Sequence, residues 1–353
     1  MSARTGPADP PPVLPGRLEI HGCGVSVRRA WPKPDGTQTF EGVDDAGRLR
    51  AGRWDGQTAS LLPHAADPGL PALAGEGSLL VHRYGRRAVL RRNGERGPEY
   101  VKVLRPGKAA AVAVVSRRLA EAAAAAGLHV PEVLAEGDGV VRFSEVPGQA
   151  LGGLPPEAWH RAWAAWAVAW PRLASTDASG LPVHNVASEL GVLRTWAGHL
   201  AQHDPLRLSL AAKVELDARL GRASAALEAA GPGRQSLAHR DLHDKQMLFD
   251  PKTRRLGILD FDTAARADVE LDLGNLLAHV DLRRDQGVID DRARRTAVEA
   301  VAAAAEALGA GQDRLDAYTE AARIRLGCVY AFRPPWRGLA ADWLAGGPPR
   351  GGP

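Results

Sequence analysis

The stretch His239–Asp250 reads H-R-D-L-H-D-K-Q-M-L-F-D and places two histidines and three aspartates within twelve residues. Polar side chains fill its first part, and the apolar run Met247–Phe249 follows. This pattern indicates a loop that leads into a short strand. Histidine and carboxylate side chains can bind a metal, and a carboxylate can also accept a proton during a reaction. The stretch therefore marks a chemical site.

One interpretation of this stretch is the metal centre of a hydrolase. His239, Asp241, His243 and Asp244 have the side chains that such centres use. A metal centre of this kind needs further ligands from other strand ends. His279 is available downstream, but no second cluster of histidines and aspartates with ligand-like spacing follows. The hydrolase stays an alternative.

The second interpretation is the catalytic loop of a phosphotransferase. Gln246 follows Asp241 by five residues, and an apolar run, a turn and a second apolar run then lead to Asp260. A hairpin of this kind brings all three side chains to one edge. Phosphoryl transfer needs a carboxylate that accepts the proton of the attacking hydroxyl, together with amide and carboxylate oxygens that hold Mg²⁺. Because Mg²⁺ also binds phosphate oxygens, two protein ligands suffice.

An upstream lysine fits the same chemistry. Residues 79–104 read as three short strands with two turns, and Lys102 lies inside the third strand, Y-V-K-V-L. A lysine in an apolar strand either reaches solvent at a sheet edge or points at an anion. With a strand pair before it and the two acids after it, we expect Lys102 to contact a phosphate.

Taken together, these motifs resemble the aminoglycoside phosphotransferase and choline-kinase-like family, which is related to the protein kinases. The family loop H-G-D-x-x-x-x-N is similar to residues 239–246, H-R-D-L-H-D-K-Q. Later family signatures are similar to L-D-F-D at 259–262 and D-L-G-N at 272–275. Order and spacing agree from about residue 79 to residue 280, more than half of the chain.

The resemblance implies a role for each matched residue. Asp241 is then the catalytic base, Gln246 and Asp260 bind Mg²⁺, and Lys102 contacts the nucleotide phosphates. The segment F-S-E-V-P-G at 143–148 lies where such kinases contact adenine, which implies nucleotide binding by Phe143, Glu145 and Val146. Asp262 is a further candidate for the metal.

Three departures from the family pattern carry consequences. Gln246 replaces asparagine but offers the same amide acceptor. Arg240 replaces glycine, which does not change the substrate class. Kinases pair the strand lysine with a helix glutamate, yet the predicted helix 109–126 has only Glu121, opposite the apolar positions. We expect Glu121 to face solvent and Lys102 to lack this partner, so a non-catalytic nucleotide-binding module is a second alternative.

Several other residues receive structural interpretations. His239 is expected to pack beneath the loop and bond to backbone. Asp272 is expected to cap a helix and to steady the catalytic loop. The tryptophans at helical spacing predict core packing: Trp159, Trp163, Trp166 and Trp170. The acids after the metal site are expected mostly on a solvated face: Asp268, Glu270, Asp281, Asp285, Asp290 and Asp291.

Composition restricts the cellular setting. Of 353 residues, 45% are apolar and 24% charged, which is ordinary for a globular protein. No apolar run reaches membrane-spanning length, and the Pro-rich start does not resemble a secretory signal. Only Cys23 and Cys328 occur, which favours a reducing cytoplasm. The net charge is +4, but the Arg-Arg pairs are scattered, so no specific nucleic-acid or membrane partner is expected.

The fold class predicted from these patterns is α+β, a two-lobed protein-kinase-like fold with a small N-terminal β cap. The cap is similar in placement to that of maltokinase-like members. The predicted divisions are a disordered tail (1–15), a β-rich cap (16–75), an N-lobe (76–148), a helical C-lobe with the catalytic loop (149–345) and a second tail (346–353).

The predicted function is an ATP- and Mg²⁺-dependent phosphotransferase. It would transfer the γ-phosphate to a hydroxyl of a small molecule such as an aminoglycoside, a sugar or an amino alcohol. The absence of an A-P-E pattern after Asp260 disfavours a protein kinase. The acceptor, the choice between ATP and GTP, and the oligomeric state stay open at this point.

Overall fold

A computed structural model of the chain describes residues 11–73, 77–95 and 97–346. An antiparallel sheet comes first, in the order β1-β2-β3-β4-β5. Its strands are β1 Arg17–Ile20, β2 Cys23–Pro32, β3 Gln38–Asp44, β4 Leu49–Trp54 and β5 Ala59–Leu61. The antiparallel unit predicted for residues 17–63 is therefore confirmed.

This first sheet packs on helices from the far end of the chain. Apolar side chains that alternate along its strands, such as Val25 and Phe40, share one buried cluster with Tyr318 and Phe332. The amide of Ala30 donates to the carbonyl of Phe332 at 2.8 Å. The sheet is thereby held against the C-terminal helices, which matters for the position of its strand β2.

The predicted tails need one correction. Residues 1–10 and 347–353 lie outside the described residues. Leu14, however, is fully buried, and its carbonyl accepts a hydrogen bond of 2.7 Å from Arg337. Ordered chain thus begins at or before Leu14 and not at residue 16, because an apolar side chain near the start of the chain reaches the core. The other predicted divisions stay predictions.

The second sheet has the strand order β10-β11-β8-β7-β6. Its strands are β6 Ser78–Arg83, β7 Arg87–Gly94, β8 Gly97–Leu104, β10 Val133–Gly137 and β11 Val140–Ser144. Helix α1, Ala109–Ala125, packs on it. Gly127 terminates the helix just after this range, with a φ of +83° that only glycine adopts freely. The three strands and the helix predicted here are confirmed.

The remaining chain is mainly helical. Its helices are α2 Pro156–Ala174, α3 Val186–His203, α4 Leu210–Ala229, α5 Glu270–Asp285, α6 Asp291–Leu308, α7 Gln312–Ala331 and α8 Arg337–Leu344. Two small sheets lie among them, ordered β12-β15-β16-β9 and β13-β17-β14. Their strands are β9 Leu128–His129, β12 Gln149–Ala150, β13 Val183–His184, β14 Gln235–Ala238, β15 Met247–Asp250, β16 Arg255–Ile258 and β17 Ala265–Asp268.

No helix within the described residues is both long enough and apolar enough to cross a membrane.

The tryptophans of α2 form the centre of the helical core, as predicted. Trp163 and Trp166 are fully buried, and the ring centroids of this pair lie 5.6 Å apart in an edge-to-face arrangement. The ring of Trp170 stacks on Trp166 at 6.2 Å. The same cluster contains Val301 of α6 and Phe249 of β15, so the stripe joins the helices to the strand that leaves the catalytic loop.

We predict that Trp166→Ala lowers the free energy of unfolding by about 3–5 kcal/mol, because it leaves a large cavity in a close-packed core. Chemical denaturation followed by circular dichroism measures the change. Val168→Ala, at a side chain that is 55% exposed on the same helix, is the control and should shift stability by less than about 0.5 kcal/mol. Equal losses in the two variants would contradict the core role of Trp166.

Candidate active site

A β-hairpin holds the predicted metal ligands side by side. Strands β15 and β16 pair with Met247 opposite Ile258. Just beyond this pair, the amide of Leu259 donates to the carbonyl of Gln246 at 2.8 Å. Gln246 and Asp260 therefore flank the open end of one hairpin, which is the arrangement predicted from their spacing.

Two residues of α5 fix the loop that precedes this hairpin. The buried Asp272 carboxylate accepts from the amides of His239 and Arg240 at 2.6 and 2.7 Å. The side-chain amide of Asn275 donates to the carbonyl of Leu242 at 2.9 Å. The predicted steadying role of Asp272 is confirmed. The predicted helix cap is wrong, because α5 begins at Glu270 and its cap position is Val269.

His239 lies fully buried beneath the loop and connects it to the segment with Asp260. Its Nε2 lies 2.7 Å from the carbonyl of Leu259, and its Nδ1 accepts from the amide of Asp241 at 3.3 Å. This pair of contacts assigns the proton to Nε2, which donates to Leu259. The backbone carbonyl of His239 accepts from the hydroxyl of Thr263 at 2.9 Å. The predicted structural role of His239 is confirmed.

Arg240 adopts a left-handed backbone, with φ of +70°. The related family loop has glycine at this position, and only glycine occupies this region without strain. The cost to arginine is about 1 kcal/mol. The two hydrogen bonds that Asp272 accepts hold the backbone in this conformation.

Lys102 of β8 reaches across the cleft to the acids of the helical lobe. Its ammonium donates to Asp260 and Asp262, both at 2.6 Å, and only 7% of the residue is exposed. Arg87 of β7 lies 3.5 Å from the second oxygen of Asp260. The lysine that the sequence predicted to contact an anion therefore lies between two carboxylates.

These contacts shift the pKa values of the Asp260 and Asp262 carboxyl groups in opposite directions. Burial disfavours ionisation of Asp260, but the charges of Lys102 and Arg87 outweigh it and hold the pKa of Asp260 well below its usual range. Burial raises the pKa of Asp262, and the neighbouring charge of Asp260 adds to this effect. Asp260 is thus the more firmly ionised oxygen donor of the pair.

Lys102 does not pair with the glutamate of helix α1. Glu121 of α1 is exposed, as its position on the helix predicted. The partners of Lys102 come instead from the segment after β16, about 160 residues further along the chain. Proximity of this kind depends on how the two lobes pack, which is why sequence spacing did not reveal it.

A cleft of about 970 Å³ contains all the predicted site residues. They are Lys102, Phe143, Glu145, Val146, Asp241, Gln246 and Asp260. Phe143 belongs to β11, and Glu145 and Val146 follow that strand where the chain passes from one lobe to the other. The seven residues therefore share one cavity, and their individual roles stay predictions.

Asp241 faces this cleft from the anchored loop. Burial raises the pKa of its carboxyl, and the nearby Asp260 adds to this, whereas the charge of Arg325 opposes it. A carboxylate with a raised pKa is a better proton acceptor than one in water. The loop therefore presents one partly desolvated base beside the acid pair.

The side chains proposed for a hydrolase centre have other partners. Asp244 binds Arg283 at 2.8 Å, and His243 Nδ1 accepts from the amide of Lys245 at 3.1 Å. His239 is turned toward Leu259. Across residues 11–73, 77–95 and 97–346, no group of three or more histidine, cysteine, aspartate or glutamate side chains is arranged to hold a metal. The geometry therefore gives the hydrolase interpretation no support.

The acids downstream of Asp260 are less solvated than predicted. Asp268, Glu270 and Asp281 are buried. Asp281 binds Arg294 and Arg323, and Asp268 accepts from the hydroxyl of Tyr318 at 3.0 Å. The prediction of a solvated face is wrong for these three, because partners on distant helices bring them into the interior.

Several residues that line the cleft were not recognised from the sequence. Arg29 and Trp31 come from β2 of the first sheet, and Arg325 and Arg333 come from the end of α7 and the turn after it. The lone signal was a high arginine content, which is spread over the whole chain. Only the packing of the first sheet on α7 brings these four residues together.

A protein-family model matches a large part of the chain. The model of the family described as "Phosphotransferase enzyme family" matches residues 77–318, more than half of the chain. This agrees with the resemblance that the motifs indicated. No curated protein matches the sequence.

Solved structures share the fold at low sequence identity. A thermostable mutant of aminoglycoside phosphotransferase APH(4)-Ia, in a ternary complex with AMP-PNP and hygromycin B, has a TM-score of 0.56 and 15% identity, covering 77% of this chain and 91% of that one. It confirms the two-lobed, kinase-like α+β fold. Two further structures have TM-scores below one half. They are APH(3'')-Id from Streptomyces rimosus (0.49, 22% identity, 69% and 91% covered) and a choline/ethanolamine kinase family protein from Mesorhizobium loti (0.47, 20% identity, 73% and 80% covered).

Two histidines beside the cleft predict an acid sensitivity of the fold. The rings of His243 and His279 lie 4.7 Å apart. Burial lowers the pKa of His243 to about 3 and holds that of His279 well below 6.5. Below pH 6.5 the unfolded chain therefore binds protons that the folded chain does not. Stability falls with decreasing pH, by up to about 1.4 kcal/mol per pH unit for each histidine.

The variant His279→Leu should reduce this acid-dependent loss by about half, because one of the two groups no longer titrates. Denaturation midpoints between pH 7 and pH 4.5 measure the effect. His160→Leu, at an exposed position of α2, is the control and should leave the pH dependence unchanged. An unaltered slope in His279→Leu would show that this histidine is not held neutral by the fold.

Proposed function

The chain belongs to the phosphotransferase enzyme family, and from this premise we propose that it transfers the γ-phosphate of ATP, with Mg²⁺, to a hydroxyl of a small molecule. Family membership confirms the predicted enzyme class, a small-molecule phosphotransferase with a hydroxyl acceptor. The nucleotide, the metal and the roles of individual residues are the content of the proposal.

One observation carries the proposal. The ammonium of Lys102 lies 2.6 Å from both Asp260 and Asp262, in the cleft that Asp241 and Gln246 also line. Phosphoryl transfer requires a cation for the phosphates, oxygen donors for the metal and a base for the acceptor hydroxyl within one site. These residues supply all three.

The proposed division of labour follows from their positions. Asp241 accepts the proton of the acceptor hydroxyl, since its pKa is raised and the loop holds it in the cleft. Lys102 contacts the phosphates of the nucleotide and reaches them from the sheet side of the cleft. Phe143, Glu145 and Val146 contact adenine where the chain passes between the lobes. Positioning of the two substrates, more than covalent chemistry, then supplies the rate enhancement.

The residues present fit a magnesium ion. Asp260 and Asp262 already converge on one cationic group, the Lys102 ammonium, and Gln246 adds an amide oxygen at the end of the hairpin. Oxygen donors of this number and type suit Mg²⁺. We propose Gln246 and Asp260 as its ligands, with Asp262 as a further candidate; a bound ion would offset the negative charge of the phosphates.

A structurally similar aminoglycoside phosphotransferase was solved with AMP-PNP, which supports nucleotide binding by a protein of this fold. A non-catalytic nucleotide-binding module is the remaining alternative, and the exposed Glu121 motivates it. Lys102 nevertheless has two carboxylate partners, so the lysine does not depend on that glutamate for its position. We also propose a reducing cytoplasm as the location, since Cys23 and Cys328 are both free thiols.

We predict that Asp241→Asn reduces phosphoryl transfer by about 10²–10⁴-fold, because asparagine cannot accept the proton of the acceptor hydroxyl. Affinity for the Mg²⁺–ATP complex should stay nearly unchanged. ADP release measures turnover, and calorimetry measures binding. Asp250→Asn, at the turn of the same hairpin, is the control. Wild-type turnover in Asp241→Asn would contradict the assigned base.

We predict that Asp260→Ala removes the Mg²⁺-dependent part of ATP affinity, because it deletes the more firmly ionised oxygen donor. The fold should persist, since Lys102 keeps Asp262 as a partner. Titration of ATP with Mg²⁺ and with EDTA gives the two affinities. Asp217→Ala, at an exposed position of α4, is the control. An unchanged affinity for Mg²⁺–ATP would count against Asp260 as a ligand.

A further inference from the structure

The cleft carries far more positive than negative charge. Its described lining contains eight lysine and arginine residues but four aspartates and glutamates. All four acids are assigned to the reaction or to the nucleotide: Glu145, Asp241, Asp260 and Asp262. Of the cations, Lys102 and Arg87 lie against Asp260. The other six, called here the basic wall, are Arg29, Arg83, Lys245, Arg283, Arg325 and Arg333.

Half of the basic wall has structural partners. Arg29 binds Glu41 and Arg283 binds Asp244, each at 2.8 Å, and Arg325 lies 3.8 Å from Glu189. These arginines are therefore held in position by acids behind the cleft surface. Within the part of the chain that the structure describes, Arg83, Lys245 and Arg333 have no carboxylate within 4.0 Å.

The two unpaired arginines are also partly desolvated. Arg83 is half-buried, its Nε has no hydrogen-bond partner, and its guanidinium lies 5.0 Å from the ring centroid of Trp31. The guanidinium of Arg333 lies 3.9 Å from the ring centroid of Tyr330. Burial lowers the pKa of both groups, and neighbouring arginines add to this, whereas Tyr330 opposes the shift of Arg333. A partly buried, unpaired cation costs free energy unless a ligand compensates it.

The unpaired cations are not all explained by the nucleotide. Arg83 ends β6 beside the turn to β7, close to Arg87, and could serve either substrate. Arg333 follows α7, and Lys245 lies in the same loop as Asp241, so both belong to the helical lobe that carries the proposed base. His279, Arg283, Arg325 and Arg333 line this same cleft.

From this charge distribution we infer that the acceptor is an anionic hydroxyl compound, a sugar or polyol that carries a phosphate or carboxylate group. Arg333 and Lys245 bind the anionic group, while Asp241 receives the proton from a hydroxyl of the same molecule. The inference rests on the proposed function and specifies the substrate of that site. Arginine donates in pairs to planar or tetrahedral anions, which suits either source of charge.

The same wall excludes polycationic acceptors. An aminoglycoside such as streptomycin carries several positive groups, and among the described lining residues only Asp241, the proposed base, offers a carboxylate without an ion-pair partner within 4.0 Å. None of the downstream acids is among the described residues that line the cleft, and Asp281 binds Arg294 and Arg323 instead. Like charges at a binding surface repel a ligand of that charge and disfavour its binding. The fold is thus shared with aminoglycoside phosphotransferases, but the acceptor charge is reversed.

The direct experiment compares hydroxyl compounds of different charge. ADP release is measured with ribose and glycerol as neutral probes, ribose phosphate, glycerophosphate and gluconate as anions, and streptomycin and choline as cations. We expect the highest kcat/KM among the anionic compounds. Comparison of the two phosphates with gluconate then shows whether the site prefers a phosphate or a carboxylate group. Preference for a neutral or cationic acceptor overturns the inference while leaving the proposed function intact.

Variants of the basic wall provide the second readout. Arg333→Gln should raise KM for the best anionic acceptor by about tenfold to a hundredfold, as expected when a charge-assisted hydrogen bond is lost. KM for Mg²⁺–ATP should stay within about twofold, and Arg333→Lys should recover part of the loss. Arg222→Gln, at an exposed position of α4, is the matched control. An equal rise in KM for both substrates overturns the assignment.

Inorganic phosphate alone tests the wall if none of the chosen acceptors reacts. We expect millimolar phosphate to raise the melting temperature of the Mg²⁺–ADP complex more in the wild type than in Arg333→Gln. Equal shifts overturn the inference. Failure of the proposed function is distinguishable, since the protein would then neither bind Mg²⁺–ATP nor release ADP, whatever its response to phosphate.

Discussion

The ion pair between the Lys102 ammonium and the carboxylates of Asp260 and Asp262 connects the two lobes at the proposed site of phosphoryl transfer. The lysine comes from a strand of the sheet, and the acids follow a hairpin of the helical lobe. A buried charge of this kind is tolerated only with partners. The packing of sheet on helices is therefore constrained to bring a cation and two oxygen donors together, and Asp241 and Gln246 are held beside them by the same hairpin.

The support of this arrangement lies beneath the cleft. Asp272 and Asn275 of α5 hold the backbone of the catalytic loop, and His239 joins the loop to the carbonyl of Leu259, next to Asp260. These contacts use neutral or fully paired groups in a buried region, where a lost partner would be costly. The basic wall of the cleft is different. Some of its arginines have acidic partners behind the cleft surface, and others have no such partner among the described residues. The first region holds the loop in position, and we propose that the second recognises a ligand.

Much of the fold could be predicted because its signals are local. Alternating apolar residues predicted the strands of residues 17–63 and 79–104, and Gly127 marked the end of α1. The catalytic loop was recognisable for the same reason, since Asp241, Gln246 and Asp260 are joined by one hairpin. The partners of Lys102 could not be predicted, because about 160 residues separate them. The burial of Asp281 was misjudged because its pairing with Arg323 exists only after distant helices have packed. Arg333 was missed for the same reason, since it joins a cleft that β2 also lines.

The central claim is that Lys102, Asp241 and Asp260 surround the triphosphate of one nucleotide between the lobes. A crystal structure with AMP-PNP and Mg²⁺ tests it most directly. We expect the adenine near Val146, the metal on Asp260 and Gln246, and the γ-phosphate between the Lys102 ammonium and the Asp241 carboxylate. A nucleotide bound elsewhere, or one in this cleft with its phosphates directed away from Asp241, would contradict the claim.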